Sequence, residues 1–413
     1  MRRFFFPGIL LLITLSCSYL QSGFDVGAEG TIERPADYAM GTLRMYSFDE
    51  ISLPEPPRGY KPFMISHYGR HGARFHGDDT QGKKVYAVLD SAHLGGHLTP
   101  LGEELYAYIC LFYDLYPGHA ADLTQKGREQ QRLLAERMKK NYPSVFLGKT
   151  FIEARSTPVP RCILSMGAFC DGLGVWVHQS ASKAYSPILA PQLSLPGFEE
   201  RSRRSWAVAR AAATELIDPS AFLERVFGNA GYEVPSYPSE VSFMRNVYYL
   251  LSNAPCLDVD LPKAPEVFKP EEWESLWEVD NLVYYAGGYA SEEGVTASAS
   301  LWQDIVERAD NGIASGGLVV DLRFGHDSHL MSLLSYLGVK EWTGRVDDLE
   351  SVKDVWQNWR IPMAANLQIV FYRHPRKDDI LVRFLLNEKP IELSNKAVEP
   401  GFYLWDEVKE KSL

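Results

Sequence analysis

Residues 60–75 read YKPFMISHYGRHGARF. The first half is an apolar, β-prone run of the kind that fills a buried strand. The second half sets His71 between Arg70 and Arg74, with Gly69 and Gly72 on either side of the Arg-His pair. Core packing does not call for that arrangement. Gly69 reads as the break that ends the strand, which puts the charges at a strand exit. The two glycines would let the backbone turn sharply and approach a ligand closely.

Working outward, the Pro-rich ISLPEPPRGYKP closes an N-terminal arm. Downstream, LTPLGEELYAYICLFYDLY and LTQKGREQQRLLAERMKKNYP open alike, with Thr99 and Thr124 placed as helix N-caps and Pro100 at a first helical position. TFIEAR is a short strand carrying Arg155, and RSTPVPRCILSMGAFCDGLG turns into a helix that ends at glycine. From about residue 196 to 309 the texture is helical, with Pro and Gly breaks and no clear strand. Strand signals return in GGLVVDLRFG, followed by a helix in HDSHLMSLLSYLG and strands in NLQIVFYR and ILVRFLLNEKPIEL. Strands alternating with helices predict an α/β sheet core, residues 23–195 and 310–413. The block 196–309 is expected to be an inserted helical cap. In such sheets the ligand crevice lies beyond the carboxyl ends of the strands. Three charged clusters fall at such ends: GRHGAR, Arg155, and His326-Asp327 after LVVDLRF.

The residue types point to phosphoryl chemistry. Arginine presents forked donors that match phosphate oxygens and stays charged, and Arg70, Arg74 and Arg155 would supply three such forks. Positive neighbours disfavour imidazolium, so His71 would stay neutral and nucleophilic. His326 would bind the phosphate. Asp327 would protonate the leaving oxygen, which needs acid conditions or a raised pKa. The spacing of His67, His71 and His76 suits a metal only on a helix, and Gly69 and Gly72 argue against one; no metal or other cofactor is expected. His76, His329, Lys183 and Arg201 are candidates for contacts to the rest of a phosphorylated small molecule, although a solvated helix face also accounts for Arg201, Arg203 and Arg204.

With these residues in view, the chain resembles the histidine acid phosphatases, branch 2 of the histidine phosphatase superfamily. The family motif Arg-His-Gly-x-Arg stands here as Arg70 to Arg74, its third arginine matches Arg155 in ARST, and its His-Asp pair matches His326 and Asp327. LTQKGREQQ, IPMAANLQIVFY and VRFLLNEKPIEL are also family-like, so the resemblance runs from about residue 60 to about 390. It implies a phosphoglycerate-mutase-like α/β core with a helical cap. It also implies a phosphohistidine at His71 that water then hydrolyses. Phytases and multiple inositol polyphosphate phosphatases look nearest. Three departures stand out. His76 occupies a place where proline is usual, and His329 one where asparagine is frequent. The donor motif reads His-Asp-Ser rather than the His-Ala-Glu of animal inositol polyphosphate phosphatases.

Composition sets the compartment and excludes other classes. The 413 residues are 46% hydrophobic and 23% charged, an ordinary globular balance, and the net charge of -11 speaks against a nucleic-acid face. Arg2 and Arg3 precede the short apolar run FFFPGILLLITLSC, so residues 1–22 read as an export signal or a lipoprotein leader with Cys17 as the lipidated residue. The expectation is a monomer that is periplasmic or anchored to the outer membrane. Cys110, Cys162, Cys170 and Cys256 permit two disulfides or four free thiols. The leading expectation is an exported phosphatase of inositol polyphosphates such as phytate. A broad acid or sugar-phosphate phosphatase, and a non-catalytic phosphate-binding lipoprotein, are the alternatives.

Overall fold

The computed structural model describes residues 34–148, 151–342, 346 and 348–410. The expected leader, with Cys17, lies outside the described residues. The unit from Ala36 onward is built on one mixed sheet. Its strands are β1 (Lys61–Arg70), β2 (Phe151–Ser156), β3 (His178–Ala181), β4 (Leu318–Gly325), β5 (Asn366–Arg373), β6 (Ile380–Leu386), β7 (Lys389–Pro390) and β8 (Tyr403–Leu404). The order is β3-β2-β4-β1-β5-β6-β7, with β8 also on β6. Strands β1 to β4 pair in parallel, whereas β5 runs antiparallel to both β1 and β6.

The helices run α1 (Gln81–Leu94), α2 (Pro100–Cys110), α3 (Gln125–Asn141), α4 (Pro160–Leu173), α5 (Ser186–Leu189), α6 (Phe198–Leu216), α7 (Ser220–Phe227), α8 (Glu240–Asn253), α9 (Pro270–Tyr284), α10 (Glu292–Ala297), α11 (Ala299–Ser315) and α12 (Asp327–Tyr336). The two threonine caps form as read: Thr99 Oγ1 accepts from Gly102 N at 3.0 Å and Thr124 Oγ1 from Gly127 N at 3.2 Å. Helix α4 ends on Gly174 at φ 60°, a left-handed position that glycine adopts without strain.

Side chains alternate across the sheet, and both faces are covered. Met64, Tyr68, Leu367, Ile369 and Phe371 pack in a core with residues of α11 and α12. Ile65, Ile152, Ala154, Leu322 and Val370 pack in another with residues of α3 and α4. Each large apolar side chain so buried contributes about 1.5–3 kcal/mol relative to an exposed one. A third core unites α1 and α2 with α6 to α9.

Three sequence expectations meet a different arrangement. Gly69 does not break β1, which continues to Arg70 in register with Gly325 of β4. Neither Gly69 nor Gly72 has a positive φ, and both are needed for closeness instead. A Cβ on Gly69 would lie 2.6 Å from the His67 ring, and one on Gly72 would lie 2.2 Å from Gly127 O. The helical lobe is not formed by residues 196–309 alone, since α1 and α2 share its core and α11 belongs with the sheet. Of the two readings left open for Cys110, Cys162, Cys170 and Cys256, the structure has the free thiols, three of them buried.

Candidate active site

Parallel pairing brings the carboxyl ends of β1 and β4 side by side, and His71 leaves β1 where His326 leaves β4. The His71 backbone is wired on both sides: its N–H donates to Gly325 O at 3.1 Å and its carbonyl accepts from Ala364 N at 3.0 Å. Helix α3 grips the rest of the loop. Thr124 Oγ1 donates to Ala73 O at 3.0 Å, Ala73 N donates to Gln130 Oε1 at 2.8 Å, and Gln131 Nε2 donates to Arg70 O at 2.9 Å. Ser165 of α4 accepts from Gly72 N at 3.1 Å, and Asn253 Nδ2 of α8 donates to Arg74 O at 2.9 Å. A loop held at so many backbone points is preorganised, which costs nothing further when a ligand binds.

His71 is buried. Its Nδ1 lies 2.9 Å from Gly72 O. A carbonyl only accepts, so Nδ1 carries the proton and Nε2 keeps a bare lone pair. Burial lowers its pKa well below the ordinary value, and the charges of Arg70, Arg161 and Arg74 lower it further. The imidazole is therefore neutral at any pH near neutrality.

Among the described residues, the cations around it have fewer acceptors than donors. Arg70 is wholly buried, with Nη1 fixed to Thr42 O at 2.6 Å and Ile361 O at 2.9 Å. Among the described residues that anchoring leaves Nε with no acceptor, and Nη2 with an ion pair to Asp327 Oδ2 at 2.8 Å that is not aligned as a hydrogen bond. Arg74 donates Nη1 to Phe75 O at 2.8 Å, and its buried Nε is unmatched among the described residues. Burial and then the charges of Arg161 and Arg70 pull the Arg74 pKa down to about 10, the signature of crowded like charge. Arg161, the second residue of α4, points Nη2 at His326 Nδ1 at 3.4 Å and leaves its buried Nε unmatched. A guanidinium only donates, so Nδ1 accepts and the Nε2 of His326 carries the proton, with Cys162 Sγ 3.7 Å from that Nε2. The two histidine rings stand 5.7 Å apart at 72°. Burial, then His329 and Arg161, hold His326 well below the ordinary imidazole value. Three guanidiniums against one carboxylate make a cavity that wants an anion.

Asp327 opens α12, and Ser328 N donates to its Oδ1 at 2.8 Å. Burial pushes the carboxyl up, but Arg70, Arg74 and His326 outweigh it and leave the pKa at about 2. Tyr284 Oη lies 3.3 Å from Asp327 Oδ2 and 2.9 Å from Thr42 Oγ1.

Of the predicted residues, the structure brings together His71, Arg70, Arg74, His326 and Asp327. Arg155 is not among them. It is still inside β2, on the face covered by α11, and its two terminal nitrogens clasp Asp304 at 2.8 and 2.6 Å. Arg161, six residues on, takes the place assigned to it. Its signal was in the sequence: it follows Pro160 at a helix start directly beyond a strand. His329 is buried beside His326, with Nδ1 2.6 Å from Gln192 Oε1. His76 lies on the crevice loop, its ring 5.3 Å from that of Tyr249. Lys183 is exposed on a short turn. Arg201 turns Nη1 to Pro196 O at 2.9 Å and packs beside Gly288; neither it nor Lys183 bonds to the His71 cluster among the described residues. His67 is buried against Phe169 and Phe324.

Residues 69–387 match the histidine phosphatase superfamily (branch 2). The chain belongs to that family. Among relatives, human multiple inositol polyphosphate phosphatase 1 is 25% identical over 312 residues, which are 68% of this chain and 64% of that protein. This chain thus spans somewhat less than two thirds of that relative's length. The multiple inositol polyphosphate phosphatase of Bifidobacterium longum, solved with inositol hexasulfate, superposes with a TM-score of 0.70 at 17% identity, covering 90% of this chain and 97% of that one. The D. castellii phytase gives 0.69 at 13% identity, covering 90% and 84%. At those identities the likeness shows the shared fold, a central sheet flanked by helices.

Proposed function

We propose that this protein is an exported phosphomonoester hydrolase that acts on inositol polyphosphates through a phosphohistidine at His71. The observation that carries this reading is the set of buried N–H groups on Arg70, Arg74 and Arg161 that have no acceptor among the described residues, gathered around the bare Nε2 of a neutral His71. A phosphate supplies the oxygens those donors lack. His71 Nε2 then attacks phosphorus, the bond from phosphorus to the ester oxygen breaks, and the leaving oxygen takes the proton of Asp327. Water next attacks the phosphohistidine, gives a proton back to Asp327, and releases inorganic phosphate and His71. His326 donates Nε2–H to the transferring group.

Asp327 must be protonated for the first step, whereas free Asp327 is held ionised by Arg70. The bound phosphate resolves this conflict. It competes for Arg70 Nη2 and brings its own negative charge, and both effects raise the Asp327 pKa in the complex. The substrate assignment draws on relatives named as multiple inositol polyphosphate phosphatases and phytases, and on a crevice with surplus positive charge. Export and a lipid anchor at Cys17 rest on the leader sequence alone.

The test is phosphate release from inositol hexakisphosphate and from para-nitrophenyl phosphate, in a chelator, between pH 3 and 8. Turnover of the inositol ester with an acid to near-neutral optimum is expected. Turnover of the aryl ester alone would move the substrate to small phosphomonoesters, and no turnover of either would leave a phosphate-binding protein.

A further inference from the structure

Close to Asp327, whose charge it feels, lies a carboxylate that the reaction does not use. Asp280 lies on α9, one turn before Tyr284, so the two side chains share a helix face. Tyr284 reaches Asp327, which puts Asp280 one helical turn from the leaving-group side of the site. Its Oδ2 is occupied, accepting from Asn358 Nδ2 at 2.9 Å. Among the described residues its Oδ1 has the Tyr249 hydroxyl alone, at 3.5 Å. Tyr249 Oη also receives Arg245 Nη2 at 3.2 Å, and its ring lies against His76. The result is a half-engaged carboxylate oxygen with an arginine behind it, in a crevice otherwise built for anions.

We propose that Asp280 is a specificity-determining residue: its Oδ1 accepts a free hydroxyl of the polyol leaving group and repels a phosphate at that position, while Arg245 favours a phosphate one step farther out. This deepens the inositol phosphate reading of the site and rests on it. The chemistry separates partly phosphorylated polyols, which can offer a hydroxyl there, from fully phosphorylated ones, which cannot. A carboxylate accepts a hydroxyl hydrogen bond well, but against a phosphate it leaves like charges in contact.

The discrimination should depend on pH. Burial pushes the Asp280 carboxyl up to about 6, with the charge of Asp327 adding to it and Asn358, Arg245 and Tyr249 opposing. Tyr248 and Tyr284 are the other titratable groups that feel its charge, and burial keeps both neutral. Above about 6 the carboxylate is charged and sorts substrates; below it the neutral acid tolerates a phosphate.

The experiment compares kcat/KM for inositol hexakisphosphate and for an inositol trisphosphate, in the wild type and in Asp280→Asn, at pH 5 and pH 7. In the wild type the preference for the trisphosphate should grow by about three- to tenfold from pH 5 to pH 7, the scale expected of one screened like-charge contact. In Asp280→Asn the part of that growth due to Asp280 should vanish, leaving the part that comes from titration of the substrate phosphates, which is alike in both proteins. Loss of the Asp280 part in the variant supports the assignment. The same preference in both proteins overturns it. The wild-type pair of measurements needs no variant to fold, and a preference that is flat with pH overturns the assignment by itself. If the wild type hydrolyses aryl phosphate but no inositol phosphate, the substrate reading fails and this inference falls with it.

Discussion

Two groups of arginines sit within one sheet's reach and are built on opposite principles. In the first, Arg155, Arg308 and Arg323 face Asp304, Asp321 and Glu153. Arg155 clasps Asp304 with both terminal nitrogens, Arg323 bridges Asp304 and Asp321, and Arg308 joins Asp321 to Glu153. Three cations meet three carboxylates, and the set is neutral. In the second, Arg70, Arg74 and Arg161 face Asp327; among the described residues each keeps a buried N–H without an acceptor, as Arg155 Nε also does, so the difference between the groups lies in the number of carboxylates. Charge that is balanced within the fold holds the fold together. Charge that is not balanced waits for a ligand. An arginine's type says nothing about which group it joins; the count of its partners does.

The sharpest break removes the nucleophile and leaves both arginine groups intact. His71→Ala should lower kcat by about 10⁴-fold or more on every phosphomonoester while phosphate still binds. Steady-state rates together with a phosphate-binding isotherm measure both. The paired comparison is Arg161→Ala against Arg155→Ala. Arg161→Ala should lower kcat/KM by about 10²- to 10³-fold and abolish thermal stabilisation by inorganic phosphate. Arg155→Ala should instead cost about 1.5–3 kcal/mol of stability, because Asp304 loses its two-pronged partner and keeps only Arg323, and should keep the phosphate-induced rise in Tm.

Asp327→Asn sharpens the second group. It should slow alkyl phosphates about 10²-fold or more and aryl phosphates far less, since an aryl oxide leaves without a proton. Equal losses on both would remove Asp327 from the donor role.

The histidines of the second group and Asp304 of the first should also fail in different pH windows, with Asp327 sharing the lower one. His71 and His326 are held below their ordinary pKa, so as pH falls below about 6.5 the unfolded chain binds protons that the folded one refuses, and stability declines. Burial raises the Asp304 carboxyl, but Arg155 and Arg323 outweigh burial and bring it down to about 2. Its contribution is complete above about pH 4 and is lost as pH falls from there toward 2. Arg155→Gln should shrink the lower window in a Tm-against-pH profile and leave the upper one in place. The smallest effect is expected at Ala364, whose φ of 61° is strained for any residue but glycine. Ala364→Gly should leave stability unchanged or raise it by up to about 1 kcal/mol.

Much of this was legible in the sequence because the signals were local. YKPFMISHY and LVVDLRF announce buried strands, Thr99 and Thr124 announce helix starts, and charges clustered after strands announce the crevice. What the sequence hid was nonlocal. Whether Arg155 faces the crevice or α11 depends on Asp304, nearly 150 positions away in the chain. The roles of Gly69 and Gly72 depend on a close approach to His67 and to α3 that no turn signal encodes. The helical lobe drew α1 and α2 into its core through contacts with α7 and α8, which a pass along the chain cannot see. Arg161 was legible in principle, since Pro160 at a helix start beyond β2 projects the next residue over the strand ends.

One measurement addresses the central claim, that the unbalanced arginines exist to hold a phosphoryl group on His71. Protein mixed with substrate is quenched within milliseconds in alkali, which preserves phosphohistidine, then digested and analysed by mass spectrometry. A single added phosphoryl group on the peptide containing His71, absent from His71→Asn and greatly reduced in Arg161→Ala but not in Arg155→Ala, is the predicted result. Sustained turnover with no phosphoryl group on His71, or with the group on another residue, would contradict it.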